Sequence, residues 1–484
     1  MTDFPGASGL IFNEPLLWEK GRKGRHGFSL PRRDVEESPL PADLVGRVPD
    51  FPDLSEVDVV RHYTRLSQWN FGVDSGLYPL GSCTMKYNPK INEKFPHLPG
   101  FAGAHPLLPV EMSQGVLRLM YELERLLAEI TGLDAVSVQP TAGAHGELAG
   151  MLIIHAYHSS RGRPRTKIIV PDTAHGTNPA SAALCGFKPV GVASGPDGVL
   201  VPGDVAAVMD DQVAGIMVTN PNTLGLFEEN FRAVADIVHR QDGLVYCDGA
   251  NMNAVMGLVD MGRIGVDVMH LNLHKTFATP HGGGGPGSGP VCVREHLARF
   301  LPVPRILEEN GRYRLSMDFP DSIGRLHAFY GNFGVMLKAY AYILTMGRDL
   351  KRASQLAVLN ANYVKESLKD VLHLAFDRPC MHECVFSDRL QKGRHVTTLD
   401  MVKRLMEYGF HPPTIYFPLV VPGALMIEPT ETECKEDLDL FIKAWRAIVR
   451  EAEENPETLK QAPIRTKVRR LDETQAARRP CLVG

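Results

Sequence analysis

Long apolar runs, an excess of either charge and a regular cysteine pattern are all missing from this chain of 484 residues. No stretch approaches the roughly 18 consecutive apolar residues that a membrane span needs, so no membrane association is expected. The 52 basic and 56 acidic side chains leave a formal net charge of −4, which gives no general attraction to nucleic acid or anionic lipid. Eight cysteines (Cys83, Cys185, Cys247, Cys292, Cys380, Cys384, Cys434, Cys481) are scattered without a CxxC pair, which argues against a disulfide framework and fits a reducing cytoplasm. Cys380, His382 and Cys384 sit close together, but C-x-H-x-C lacks a second ligand pair at zinc spacing, so no metal is expected. The opening MTDFPGASGLIFNEPLLWEKG has no basic region followed by an apolar core, so it does not read as a secretory leader. Aromatics make up only 7% of the chain, against 44% hydrophobic and 22% charged residues, the proportions of a soluble globular protein.

Residues 1–110 are rich in proline and charge with no sustained period, and read as an extended arm lying over other surfaces. Val116, Leu119, Met120, Leu123, Leu126, Leu127 and Ile130 then recur at helical spacing, with Gly132 as the expected cap. Beyond them, strand-sized apolar runs (135–138, 167–170, 215–218, 244–247, 266–271) alternate with helix-sized connections. That alternation predicts βαβ units and a mostly parallel sheet covered on both faces, an α/β domain over residues 111–345. A helix is expected over 328–346, and a smaller α+β domain over 346–484. The basic tail 465–479 is interrupted by Asp472 and Glu473 and reads as a packed arm.

In such sheets ligands gather at the carboxyl ends of strands, and four places there carry candidate chemistry. Thr141-Ala142-Gly143-Ala144, between a strand and a helix, could let backbone N–H groups approach a phosphate, or could be a plain tight turn. His175 follows the run 167–170, where an imidazole could stack on a planar ring or simply satisfy loop hydrogen bonds. Asp248, ahead of Gly249 and Ala250, ends a hydrophobic strand and needs a cationic or N–H partner, a protonated ring nitrogen or the start of the next segment. His274-Lys275 closes another apolar run, where an ammonium is costly unless paired or neutralised, and Schiff-base formation neutralises it. Gly282, Gly284 and Gly287 spell GxGxxG, but after a lysine and not at the opening of a βαβ unit, so a dinucleotide site is not expected.

Phosphate cradle, stacking histidine, acidic residue and lysine, in that chain order, resemble fold-type I pyridoxal-phosphate enzymes. Within these, Leu80-Gly81-Ser82-Cys83-Thr84-Met85-Lys86, Thr141-Ala142-Gly143-Ala144, Asp172 to Ala180, His274-Lys275-Thr276-Phe277 with its glycine run, and Ile427-Glu428-Pro429-Thr430-Glu431 resemble glycine decarboxylase, the P-protein of the glycine cleavage system. The resemblance covers nearly the whole chain. It implies pyridoxal 5'-phosphate held on Lys275, paired through its ring nitrogen with Asp248, stacked by His175, and bound at its phosphate by Thr141, Ala142, Gly143, Ala144 and His274, with Ala250 also in contact. It further implies catalysis by Lys275, His175 and Asp248: decarboxylation of glycine and transfer of the aminomethyl group to the lipoyl arm of H-protein. The chain resembles the lysine-bearing half of the family, subunit 2 of a split form. A lysine-free subunit 1 is then the expected partner, two copies of each forming a heterotetramer.

Two competing readings stay open on the residues. An aminotransferase would use the same lysine and aspartate, but usually fixes its substrate carboxylate with a small-domain arginine, where this chain has Leu425-Met426-Ile427-Glu428. A non-catalytic scaffold would have no use for Lys275. Cys83 could lie near the site or be an ordinary buried thiol.

Overall fold

Strand-sized runs that are apolar at every position must be covered on both faces, and a seven-stranded sheet meets that demand. In this computed structural model residues 14–47 and 49–482 are described, so most of the segment read for a leader, residues 1–13, lies outside them. The strands are β1 (Ala135–Ser137), β2 (Lys167–Pro171), β3 (Lys188–Val192), β4 (Val213–Thr219), β5 (Leu244–Gly249), β6 (Val268–Leu271) and β7 (Val291–Val293), in the order β1-β7-β6-β5-β4-β2-β3. β2 to β6 pair in parallel. β7 runs antiparallel to both β6 and β1, which leaves β1 parallel to the rest.

Alternate residues of each strand feed two separate cores. Ile169, Val245, Cys247 and Met269 join Leu117, Met120, Leu123 and Leu127 of the Gln114–Thr131 helix, which ends at Gly132 with φ +72°. Ile168, Val170, Leu244, Tyr246 and Val268 join Met151, Ile153 and Ile154 of the Gly143–Ser160 helix on the other face. Period-two alternation between two apolar layers is why these strands read as unbroken hydrophobic runs.

Two strands of this sheet fall outside the sequence expectation. β3 carries Pro189 and Gly191 at the sheet edge and is only partly covered, and β7 has three residues. The helix expected over 328–346 is Phe333–Met346, because the chain turns at Gly331, where φ is +62°.

Between β7 and that helix lies a hairpin, β8 (Arg305–Glu309) and β9 (Arg312–Ser316). A second, antiparallel sheet then comprises β10 (His373–Leu374), β11 (Cys384–Ser387), β12 (Thr414–Ile415) and β13 (Ala424–Ile427), ordered β10-β11-β13-β12. Its core holds Leu368, Met401, Leu405, Phe441 and Trp445 from the helices packed on it.

Ahead of the large sheet, the Glu56–Ser67 helix, capped by Ser55 and Asp58, is a regular element that the arm reading did not separate. Residues 77–86 then turn inward, and Leu80 bridges to Ile427 of β13. The tail is tethered by Arg470 to Asp400 at 2.7 Å but leaves Leu471 and Leu482 exposed, so it is less packed than expected. Among the described residues no helix is long and apolar enough to cross a membrane.

Candidate active site

Every residue singled out at a strand end lies at the carboxyl edge of the parallel strands. Thr141 to Ala144 lead from β1 into the Gly143–Ser160 helix, and His175 leads from β2 into the Thr177–Leu184 helix. Asp248 ends β5 and faces His270 of β6 in register, and Lys275 follows β6 in the turn Leu273–Thr276. The topology thus brings the aspartate and the lysine to neighbouring strand ends.

The helix opening at Gly143 has no side-chain cap on its first turn, and the first amide to find an intrahelical acceptor is that of Gly146, to Ala142 O. A Cβ on Gly143 would lie 2.5 Å from Asn272 Oδ1, and one on Gly289 would lie 1.9 Å from the Ala142 carbonyl. These glycines let the glycine-rich run and the lysine turn press against the free helix end. Gly289→Ala should accordingly cost about 1–3 kcal/mol by overpacking, read as a lowered thermal midpoint. Unchanged melting would show that this approach is not needed.

Asp248 is 1% exposed. Its Oδ2 accepts from Asn178 Nδ2 at 3.0 Å and its Oδ1 from the Ala250 amide at 3.0 Å, with His270 Nε2 at 3.5 Å. Burial pushes the carboxyl up, but the His270 charge and these hydrogen bonds outweigh it and hold it below the usual range. Asn178 is itself fixed by Glu147, which also accepts from Thr177 and Ser181. His175 Nδ1 lies 2.7 Å from the Thr177 hydroxyl, and its ring meets Phe417 edge-on. His274 takes the Ser288 amide on Nδ1, and burial, then Lys275 and His281, lower its pKa to about 4, so it is a neutral ring at pH 7.

Lys275 donates from Nζ to the Ser82 carbonyl at 2.7 Å. That carbonyl belongs to a loop in which Ser82 and Thr84 both have positive φ, +66° and +48°, strained for non-glycine residues. Buried carboxylates hold the loop: Glu383 accepts from the Ser82 amide at 2.8 Å, and Glu428 accepts from the Thr84 amide and hydroxyl at 3.0 and 2.6 Å. Lys86, equally buried, donates to the Thr276 carbonyl, Asn253 and Glu431. Burial alone pushes this amine down, but the Glu431 charge outweighs it and the net shift is upward. Two sequence stretches some 340 residues apart, Leu80 to Lys86 and Ile427 to Glu431, therefore clasp each other beside the lysine.

The family profile "Glycine cleavage system P-protein" matches residues 46–315, and "Glycine dehydrogenase, C-terminal domain" matches 353–467. The chain belongs to the glycine cleavage system P-protein family. A curated relative from Caldanaerobacter subterraneus, named "Probable glycine dehydrogenase (decarboxylating) subunit 2", is 59% identical, with 96% of this chain and 98% of the relative covered. A relative of the same name from Alkaliphilus oremlandii is 54% identical, with 96% of each covered. Among solved structures, an inhibitor-bound glycine decarboxylase (P-protein) superposes with TM-score 0.72 at 20% identity over 84% of this chain and 93% of that one. A Lactobacillus brevis glutamate decarboxylase gives 0.65 at 14% identity over 88% and 96%. The fold is thus that of the fold-type I pyridoxal-phosphate enzymes, α/β with a mostly parallel sheet, as the sequence led us to expect.

Several residues beside this candidate site carry no local sequence signal. Glu147, Asn178, His270 and Asn272 sit within ordinary strand, helix or turn contexts. Glu383 and His382 lie in the stretch inspected only for zinc. There, His382 is fully buried and its Nε2 lies 3.9 Å from both Glu383 Oε2 and Glu428 Oε1.

Proposed function

We propose that this chain is the lysine-bearing subunit of a glycine decarboxylase, taking glycine, releasing CO₂ and passing the aminomethyl group to a lipoyl disulfide on H-protein. The observation that carries the reading is the pairing of Lys275 and Asp248 at adjacent strand ends, in a chain 54–59% identical to named subunits 2 along nearly their whole length.

The residues present fit pyridoxal 5'-phosphate. Gly143 and Gly289 let the lysine turn and the glycine-rich run close against a helix start whose first amides have no intrahelical acceptor, and Asn272 Oδ1 there is buried without a hydrogen-bond partner. Thr141, Ala142, Gly143, Ala144 and His274 would hold the phosphate, and Ala250 and His175 would border the ring. Lys275 would bind the aldehyde carbon. Bound there, the cofactor supplies an electron sink for the pair left when CO₂ departs. Asp248, kept ionised, holds a proton on the ring nitrogen, and Asn178 and Ala250 keep its oxygens aimed. His274, kept neutral, adds no charge next to Lys275. Just after β13 the buried Glu428 stands where an aminotransferase would usually offer an arginine, so the substrate carboxylate meets no tightening cation there. Residues 346–484 would form the small domain that carries this strand, residues 111–345 the cofactor domain, and residues 1–110 the arm that reaches both.

The relatives are called subunit 2, and the arm leaves Trp18, Phe28, Leu30, Leu40 and Phe51 exposed, apolar surface suited to a lysine-free subunit 1. The test is light scattering with a glycine-dependent bicarbonate-exchange assay. The chain alone should exchange slowly if at all. Adding subunit 1 should give a heterotetramer of two copies each, active with lipoylated H-protein. Full activity of the lone chain, with no mass change on mixing, would sink the split-subunit reading. We place the enzyme in the cytoplasm.

A further inference from the structure

Two buried carboxyl groups face each other under the Lys275 loop with no cation in hydrogen-bonding contact. Glu383 and Glu428 are both 0% exposed, and ligand-bearing atoms of Glu383, Glu428 and His382 all lie within 4.8 Å of one another. Lys275 bonds the Ser82 carbonyl, not either glutamate, and His382 Nε2 is 3.9 Å from each, beyond hydrogen-bond reach. Glu383 Oε1 and both His382 ring nitrogens have no hydrogen-bond partner. Two like charges so close and so dry oppose each other's ionisation, which favours one proton held by the pair.

Thr84, itself 3% exposed, stands between this pair and a cleft. Its hydroxyl lies 2.6 Å from Glu428 Oε1, and the same residue lines a cleft of about 310 Å³ bordered by Tyr78, Met85, His274 and His281. A hydroxyl can accept from a carboxylic acid on one side while donating on the other.

We propose that Glu383 and Glu428 share a single proton and that the Thr84 hydroxyl is its outlet to the cleft beside Lys275. The charged and titratable groups facing the pair are Lys275, His382, Glu431 and Cys83. Burial, opposed by Thr84 and Lys275, brings Glu428 to about 7. Burial and the Glu428 charge push Glu383 up as well.

The role assigned to the proton rests on the glycine-decarboxylating reading. In the transfer, the electron pair of the broken carbon–carbon bond forms a carbon–sulfur bond. The disulfide S–S bond breaks, and its pair goes to the second sulfur. Thr84 gives that sulfur a proton and takes one from Glu428, so the second sulfur stays on the arm as a thiol and the pair regains one proton from solvent before the next cycle.

The test has two arms. Difference infrared spectroscopy on the cofactor-free chain at pH 7 should show a protonated-carboxyl band that disappears in the Glu383→Gln, Glu428→Gln double variant and persists in Thr84→Val. In the assembled enzyme, Thr84→Val should slow glycine-to-lipoyl transfer at least about 10²-fold and change its solvent isotope effect, while Thr84→Ser restores most of the rate. Absence of the band at pH 7, or a metal ion retained by the wild type and lost in the double variant, overturns the shared proton. A valine variant as fast as wild type overturns the outlet. The band together with no glycine turnover by wild type overturns the glycine reading, and with it sulfur as the acceptor, while the proton pair stands.

Discussion

Lys275→Ala should fold normally and lose glycine-dependent CO₂ exchange by about a thousandfold or more, which is about 4 kcal/mol of barrier. The side chain is only half-buried and makes one hydrogen bond, to Ser82, whereas the turn that carries it is anchored by Leu273 and Thr276, both fully buried. Truncation therefore removes a nucleophilic amine without opening a core. Absorbance scans with added pyridoxal phosphate, alongside the exchange assay and circular dichroism, check this. A variant that keeps both its cofactor-linked absorbance and its exchange rate would remove the lysine from the mechanism.

Asp248→Asn should leave cofactor content near normal and lower the rate about 10²-fold, equivalent to roughly two pKa units of lost ring-nitrogen basicity at 1.36 kcal/mol each. The amide matches the carboxylate in size within a fully packed strand end. It also keeps an oxygen for Asn178 or Ala250. It cannot carry the charge that His270 and those two donors stabilise, and without that charge the ring proton is no longer held. The variant should be compared with wild type between pH 6 and pH 9, where the wild-type carboxylate stays ionised because its pKa is lowered. An unchanged rate across that range would show that the ring proton does not depend on Asp248.

The strand-end side of the candidate site was readable because strand ends are local events. An apolar run ending in Asp248, or in His274-Lys275, announces a polar group at a sheet edge from a few residues of sequence. The same logic placed β1, β2, β4, β5 and β6, all continuous apolar runs. It missed β3, where Pro189 and Gly191 dilute the signal, and β7, which directly follows the glycine- and proline-rich run. The second wall of the site had no local signature. Thr84 and Glu428 are 344 residues apart, and nothing in either stretch says that one will hold the other. Their resemblance to family motifs marked both stretches, but only the fold joins them. Glu383 was overlooked because its neighbourhood was weighed as a zinc pattern, while the side chain that mattered was the carboxylate between two cysteines.

The clasp between Lys86 and Glu431 also bears on how the protein is made. A ribosome delivers the lysine early and its counter-charge some 345 residues later. Until then, burying that ammonium would be costly, so the loop carrying Ser82 and Thr84 cannot settle in its final place on the nascent chain. The large sheet can fold as it emerges, but the pocket around Lys275 closes only when synthesis is nearly complete. A translation product that stops before Glu431 therefore lacks the counter-charge that seats Lys86 beside the site.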